Sequence, residues 1–127
     1  MNILGIDWGK KRVGLAWVQS GLDVVLPFGV IETFKVDPVA EIIAIIKEEK
    51  IDLVVLGLPK TLAGIEEANA LAVREVGAKI ASATGINVEF LDERYTSHAA
   101  DRFGADGASR DEKAAMIMVQ AYLDSKK

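Results

Sequence analysis

The chain contains no cysteine and a single histidine, His98. The first absence excludes disulfides, thiolate nucleophiles and thiolate metal sites. The second excludes a zinc centre built on several imidazoles. Any metal bound here must be held by oxygen, which selects hard cations such as Mg²⁺ or Mn²⁺. No apolar run reaches the roughly 18 residues that a membrane span needs. Nor does a basic stretch followed by an apolar one open the chain, which runs from Met1 straight into a strand pattern. These absences predict a cytoplasmic protein with no membrane partner. Positive charge is also in deficit: the net charge is −4 and the pI about 5.0. That counts against indiscriminate, tight attraction to nucleic acid. It leaves room for a local basic rim around an acidic centre.

What is present is an ordinary globular balance, half apolar and 27% charged. A chain of 127 residues is one domain by length, here residues 1–127. At that size it buries roughly two-thirds of its unfolded surface. Alternating apolar residues predict strands over Asn2–Asp7, Arg12–Val18 and about Val24–Thr33, the last kinked near Pro27. The short links Gly9-Lys10-Lys11 and Gly21-Leu22-Asp23 make these three an antiparallel meander. Asp37-Pro38 reads as an N-cap with proline at the first helical position, opening a helix to Lys50 with Ile42, Ile43, Ile45 and Ile46 on its apolar face. Asp52–Gly57 is an almost unbroken apolar run, suited to a central strand covered on both sides. An Ala-rich helix is predicted from Ile65 to Ala83, stopped by Gly85, then a fifth strand over Ile86–Leu91. A short helix from Thr96 or Ser97 to Gly104 and a last one from Ser109 to about Asp124 complete the chain. Hairpin-linked strands followed by α/β crossovers give a mixed five-stranded sheet with helices on both faces.

Three acidic positions stand out. Asp7 ends the first strand among apolar neighbours, where an unpartnered carboxylate is costly; the plainer reading is a strand-ending acid that accepts backbone hydrogen bonds. Asp92 and Glu93 end the fifth strand, where ligands gather in open α/β sheets. Adjacent residues of an extended backbone point to opposite sides, so one of the two faces any site. Asp111 opens the last helix, where an acid is favourable on propensity grounds alone. Carboxylates from a first strand, a later strand end and a final helix can converge on one cleft. There two divalent ions about 3.5–4 Å apart could activate water for phosphodiester hydrolysis.

Four segments together resemble the YqgF/RuvX family of RNase H-like nucleases, known as Holliday junction resolvases or pre-16S rRNA nucleases. The opening Gly5-Ile6-Asp7-Trp8-Gly9-Lys10-Lys11-Arg12-Val13-Gly14-Leu15-Ala16 is similar to the family's D-x-G-x-K-R-x-G-x-A. Gly57-Leu58-Pro59 with Gly64 resembles its G-L-P loop, and Leu91-Asp92-Glu93-Arg94-Tyr95-Thr96 its D-E-R-x-T motif. Asp111 with Ala114-Ala115 and Gln120-Ala121-Tyr122-Leu123 resembles its last helix. The resemblance spans nearly the whole chain. It implies strand order 3-2-1-4-5 and a catalytic, metal-binding triad of Asp7, Glu93 and Asp111, with Asp92 the alternative to Glu93. It also implies a Mg²⁺- or Mn²⁺-dependent nuclease acting on precursor rRNA or branched DNA; a monomer or weak homodimer is expected, since no coiled-coil or evident interface pattern is visible. Two departures are visible: Ser97 replaces the usual second threonine, and Lys60–Ile65 lacks the polar character common after G-L-P.

Lys10, Lys11, Arg12, Arg94 and Arg110 flank the acids and are candidates to meet phosphates, arginine suiting bidentate contact. Arg12 and Arg94 could equally be internal partners for Asp92 or Glu93. Trp17 and Phe28 are expected in the core, whereas Trp8 sits where it could touch a base or sugar. His98 reads as a surface residue rather than a general base. Two other functions fit parts of the pattern. Strand-Asp-x-Gly followed by a hairpin is also the phosphate motif of the actin and sugar-kinase superfamily, whose members use two such domains around a nucleotide. A non-catalytic RNA-binding protein of the same fold is the other.

Overall fold

The computed structural model describes residues 1–19, 21–22, 24–59, 65–92 and 108–126. Strands β1 (Ile3–Asp7), β2 (Arg12–Val18) and β3 (Leu26–Glu32) form the antiparallel meander. Helix α1 (Pro38–Glu48) leads to β4 (Leu53–Leu58), α2 (Ala68–Thr84) leads to β5 (Asn87–Asp92), and α3 (Arg110–Ser125) closes the fold. The sheet order is β3-β2-β1-β4-β5, with β4 parallel to both β1 and β5. Both the mixed sheet and its order are as expected.

The pleat decides what each face receives. Leu4 and Ile6 of β1, Val13 and Leu15 of β2 and Val54, Leu56 and Leu58 of β4 join Ile42, Ile46, Val73 and Ile80 in the main core, under α1 and α2. The alternate residues, Ile3, Ala16, Val18, Leu53 and Val55, meet α3 through Ala115, Met116, Val119, Tyr122 and Leu123. All six residues of β4 are buried, which explains its continuous apolar run. Trp17 and Phe28 pack edge to face at 4.8 Å between ring centroids, half-buried against the main core.

Local chemistry sets the element ends. The Asp37 carboxylate accepts from the backbone N–H groups of Val39 and Ala40, with Pro38 next to it, as a helix start requires. β3 begins at Leu26 rather than Val24, and its kink is a bulge: Leu15 pairs Gly29 while Ala16 pairs Pro27. Gly29 supplies the positive φ of +135° that the extra residue needs. Helix α2 starts at Ala68, three residues later than Ile65. Ile65 is 59% exposed and adds nothing to the buried stripe, while Glu66 accepts a hydrogen bond from Arg74 Nη2 at 2.8 Å. Helical periodicity gives no sign of that ion pair. The short helix expected from Thr96 to Gly104 lies outside the described residues.

Candidate active site

Asp7 closes β1, and its partner across the antiparallel ladder is Gly14. A side chain at Gly14 would point from the sheet into α3. An added Cβ there would lie 2.0 Å from the Asp111 carbonyl oxygen and 3.1 Å from the Asp111 Cβ. The missing side chain therefore lets the first turn of α3 rest on the backbone directly beside Asp7. One turn and more along the helix the device repeats: a Cβ at Gly5 would lie 2.0 Å from Val119 Cγ2 and 3.3 Å from the Ala115 carbonyl oxygen. Gly5, Gly14 and Ala16 thus form a seat of small residues, and the alternation of β1 puts Asp7 on the same face as Gly5.

The start of α3 is fixed independently. Ser109 Oγ accepts from Glu112 N at 3.2 Å, and Glu112 Oε1 accepts from Ser109 N at 3.1 Å, a reciprocal capping box. Asp111 lies between the two partners. Its Oδ2 accepts a hydrogen bond from Arg12 Nε at 2.9 Å. Arg12 was expected at phosphates or beside Asp92 or Glu93; its partner in the fold is Asp111. The side chains are 57% and 30% exposed, so this pair contributes at most about 1 kcal/mol to stability. Its consequence is orientation: the guanidinium holds the Asp111 carboxylate toward the mouth of the β1–β2 hairpin. That hairpin is itself tied to the end of β3, where Thr33 Oγ1 donates to the Lys10 carbonyl at 2.6 Å and Thr33 N to the Lys11 carbonyl at 3.0 Å.

Asp92 is placed differently. It pairs in register with Leu58 and alternates with Leu91, so it shares the sheet face of Val88 and Phe90, under α1 and α2. Asp7 and Asp111 lie on the α3 face. By the pleat alone, the Asp92 side chain leaves the sheet on the face opposite to Gly5 and Gly14. Glu93, Arg94 and His98 lie outside the described residues, as does the Lys60–Gly64 loop. Lys10, Lys11 and Arg110 are exposed around the acids. Among the described residues, no three acidic or histidine side chains are grouped closely enough to hold a metal ion. The described part of the site supplies two carboxylates on one face, a hard oxygen donor set of the kind that suits Mg²⁺ or Mn²⁺.

On the other side of the β1 end lies a cleft of about 300 Å³, lined by Asp7, Trp8, Lys10, Pro59, Asn69 and Val73, among others. It opens beyond the carboxyl ends of the neighbouring parallel strands β1 and β4, where α/β sheets bind ligands. Asn69 carried no signal in the sequence. Gly14 did carry one, since a glycine inside a strand often marks a close backbone approach.

The meander, the sheet order and the helices on opposite faces define an RNase H-like domain. Thermus thermophilus RuvC superposes on it with a TM-score of 0.69 over 97% of this chain and 93% of that one, at 15% identity, a likeness of fold. The family model for RuvX, Holliday junction resolvase, matches residues 1–125. A protein of Lactococcus lactis subsp. cremoris (strain MG1363) is 37% identical over 138 residues, covering 98% of this chain and 94% of its own length. One from Dictyoglomus thermophilum is 34% identical over 139 residues, covering 98% and 96%. Both carry the name "Putative pre-16S rRNA nuclease". The chain belongs to the RuvX family.

Proposed function

We propose that this protein is a divalent-metal-dependent nuclease, a single domain over residues 1–127, that hydrolyses phosphodiester bonds in structured nucleic acid. The observation that carries the reading is that two acids distant in sequence reach one sheet face: Asp7 pairs in register with Gly14, and the main chain of Asp111 rests on the bare backbone of Gly14. Family membership and the names of the relatives favour precursor 16S rRNA or a Holliday junction as substrate. Of the two, precursor rRNA is preferred. The cytoplasm is the expected compartment, and the working form a monomer or weak homodimer.

Asp7, Asp111 and Glu93 are the residues assigned to hold Mg²⁺ or Mn²⁺. Glu93 takes the third place over Asp92 because the β5 pleat turns Asp92 to the opposite face. When bound, the metal supplies a nucleophilic water and a positive charge for the leaving oxygen. The chain's own contributions are more specific. Arg12 orients Asp111, and the exposed Lys10, Lys11 and Arg110, together with Arg94, are assigned to the phosphates flanking the scissile bond. Such contacts let a chain of net charge −4 hold a polyanion locally.

The test is Mn²⁺-dependent cleavage of a four-way junction and of a precursor-rRNA fragment, comparing the wild type with Asp7→Asn. The expected loss is at least roughly 10³-fold, the several kcal/mol that a catalytic metal contributes. ATP turnover without cleavage would instead favour a sugar-kinase-like module. Nucleic-acid binding without cleavage in either protein would favour a non-catalytic RNA-binding role.

A further inference from the structure

The cleft beside Asp7 has walls of two kinds. Trp8, Pro59, Ala72 and Val73 are apolar, and Lys10 and Asn69 stand among them as exposed polar groups. Trp8 is half-buried and packed against the main core, so its ring is held by the fold rather than swinging in solvent. An anchored indole lining a cleft with apolar walls is a surface on which a planar base can stack, and such stacking accepts any base. The Asn69 amide offers both a donor and an acceptor, the combination that adenine matches bidentately. Lys10 adds a cation for a phosphate. At about 300 Å³ the cleft lies at the small end of ligand sites. That is room for a nucleobase.

We propose that this cleft is a pocket for a single unpaired nucleotide, with Trp8 as the stacking platform, Asn69 reading the base edge and Lys10 meeting the adjoining phosphate. Asp7 lies at the rim the cleft shares with the end of β1, so on the nuclease reading the captured nucleotide sits at the edge of the site, across β1 from Asp111. The pocket would then select an extruded or single-stranded position in the substrate. The cost of unpairing, a few kcal/mol in a duplex, is least where the base is already free. The proposal rests on the nuclease reading for its biological meaning, but its test does not require cleavage.

The chain has two tryptophans, so Trp17→Phe leaves Trp8 as the sole indole reporter. That variant, in EDTA, is titrated with fluorescein-labelled single-stranded oligoadenylate and oligouridylate. Probe anisotropy reports binding, and the emission of Trp8 reports stacking. The emission is expected to be quenched with the same midpoint as the anisotropy change. Trp8→Ala should weaken binding about tenfold or more, the loss of one stacked base. Trp8→Phe, which keeps a ring, should fall between. Asn69→Ala should narrow the preference for oligoadenylate while leaving oligouridylate binding nearly unchanged. Thermal melts establish that each variant is folded, and should Trp17→Phe unfold, the difference between wild type and Trp8→Phe carries the same signal. Binding without quenching, equal binding by Trp8→Ala, or no binding at all would overturn the pocket. Quenching in a protein that cleaves neither junction nor precursor rRNA would sink the nuclease reading and leave the pocket standing. Cleavage without quenching would do the reverse.

Discussion

A hydrogen atom at position 14 decides whether the two carboxylates can share a face. Replacing Gly14 by alanine would place a methyl group 2.0 Å from the Asp111 carbonyl oxygen, which belongs to the backbone and cannot rotate away. Helix α3 must then lift from the sheet. The expected cost is about 1–3 kcal/mol or more, read by chemical denaturation, with activity lost by more than the stability change alone explains. Gly5→Ala makes an equally short approach, but to the tip of Val119. Its damage should be partly relieved by adding Val119→Ala, a coupling that a double-mutant cycle measures. No such partner exists for Gly14→Ala, whose nearest contact is main chain. Tyr122 supplies a different residue-level prediction. Its hydroxyl donates to Glu89 Oε2 at 2.6 Å, tying α3 to β5. Burial, and then that carboxylate, raise the phenol from 10.0 to about 12. The protonated phenol therefore favours the fold below pH 10, and this contribution is lost as pH rises through 10 to 12. Tyr122→Phe should flatten the stability profile across that window, measured by urea melts at a series of pH values.

At the scale of elements, the sequence was most informative where local chemistry and tertiary packing agree. Asp37-Pro38 and Ser109 announce helix starts because capping is decided within a few residues, and both caps form. The unbroken Leu53–Leu58 run announces a strand with two covered faces. The start of α2 was less legible, because the Glu66–Arg74 ion pair that accompanies its first turn depends on the folded geometry. The capping box of α3 also carries a functional prediction. Ser109→Ala should cost about 1 kcal/mol. It should also lower the cleavage rate at saturating metal, because Asp111 sits inside that first turn. Restoration of the rate by Ser109→Asp, an equally good cap, would separate a positioning effect from a general loss of stability.

For the whole molecule, topology joins what the sequence keeps apart. Residues 7 and 111 come to the same sheet face because β2 returns beside β1 and α3 lies across both strands, an outcome that no local pattern contains. The acids assigned to the site stand out in the sequence because they fall at strand ends and a helix start. Their partners do not: Arg12 pairs with Asp111, a contact that no local pattern announces. If the carboxylates hold a divalent ion as proposed, the folded protein is stabilised by it. Saturating Mn²⁺ at a hundred times its Kd should add about 2.7 kcal/mol to the unfolding free energy of the wild type, and much less to Asp7→Asn.

Anomalous scattering from a crystal soaked in Mn²⁺ tests the central claim most directly. The account predicts a peak within about 2.5 Å of carboxylate oxygens of both Asp7 and Asp111, with the Arg12 guanidinium displaced from or sharing Asp111. Manganese bound elsewhere, with both carboxylates left without it, would contradict the account.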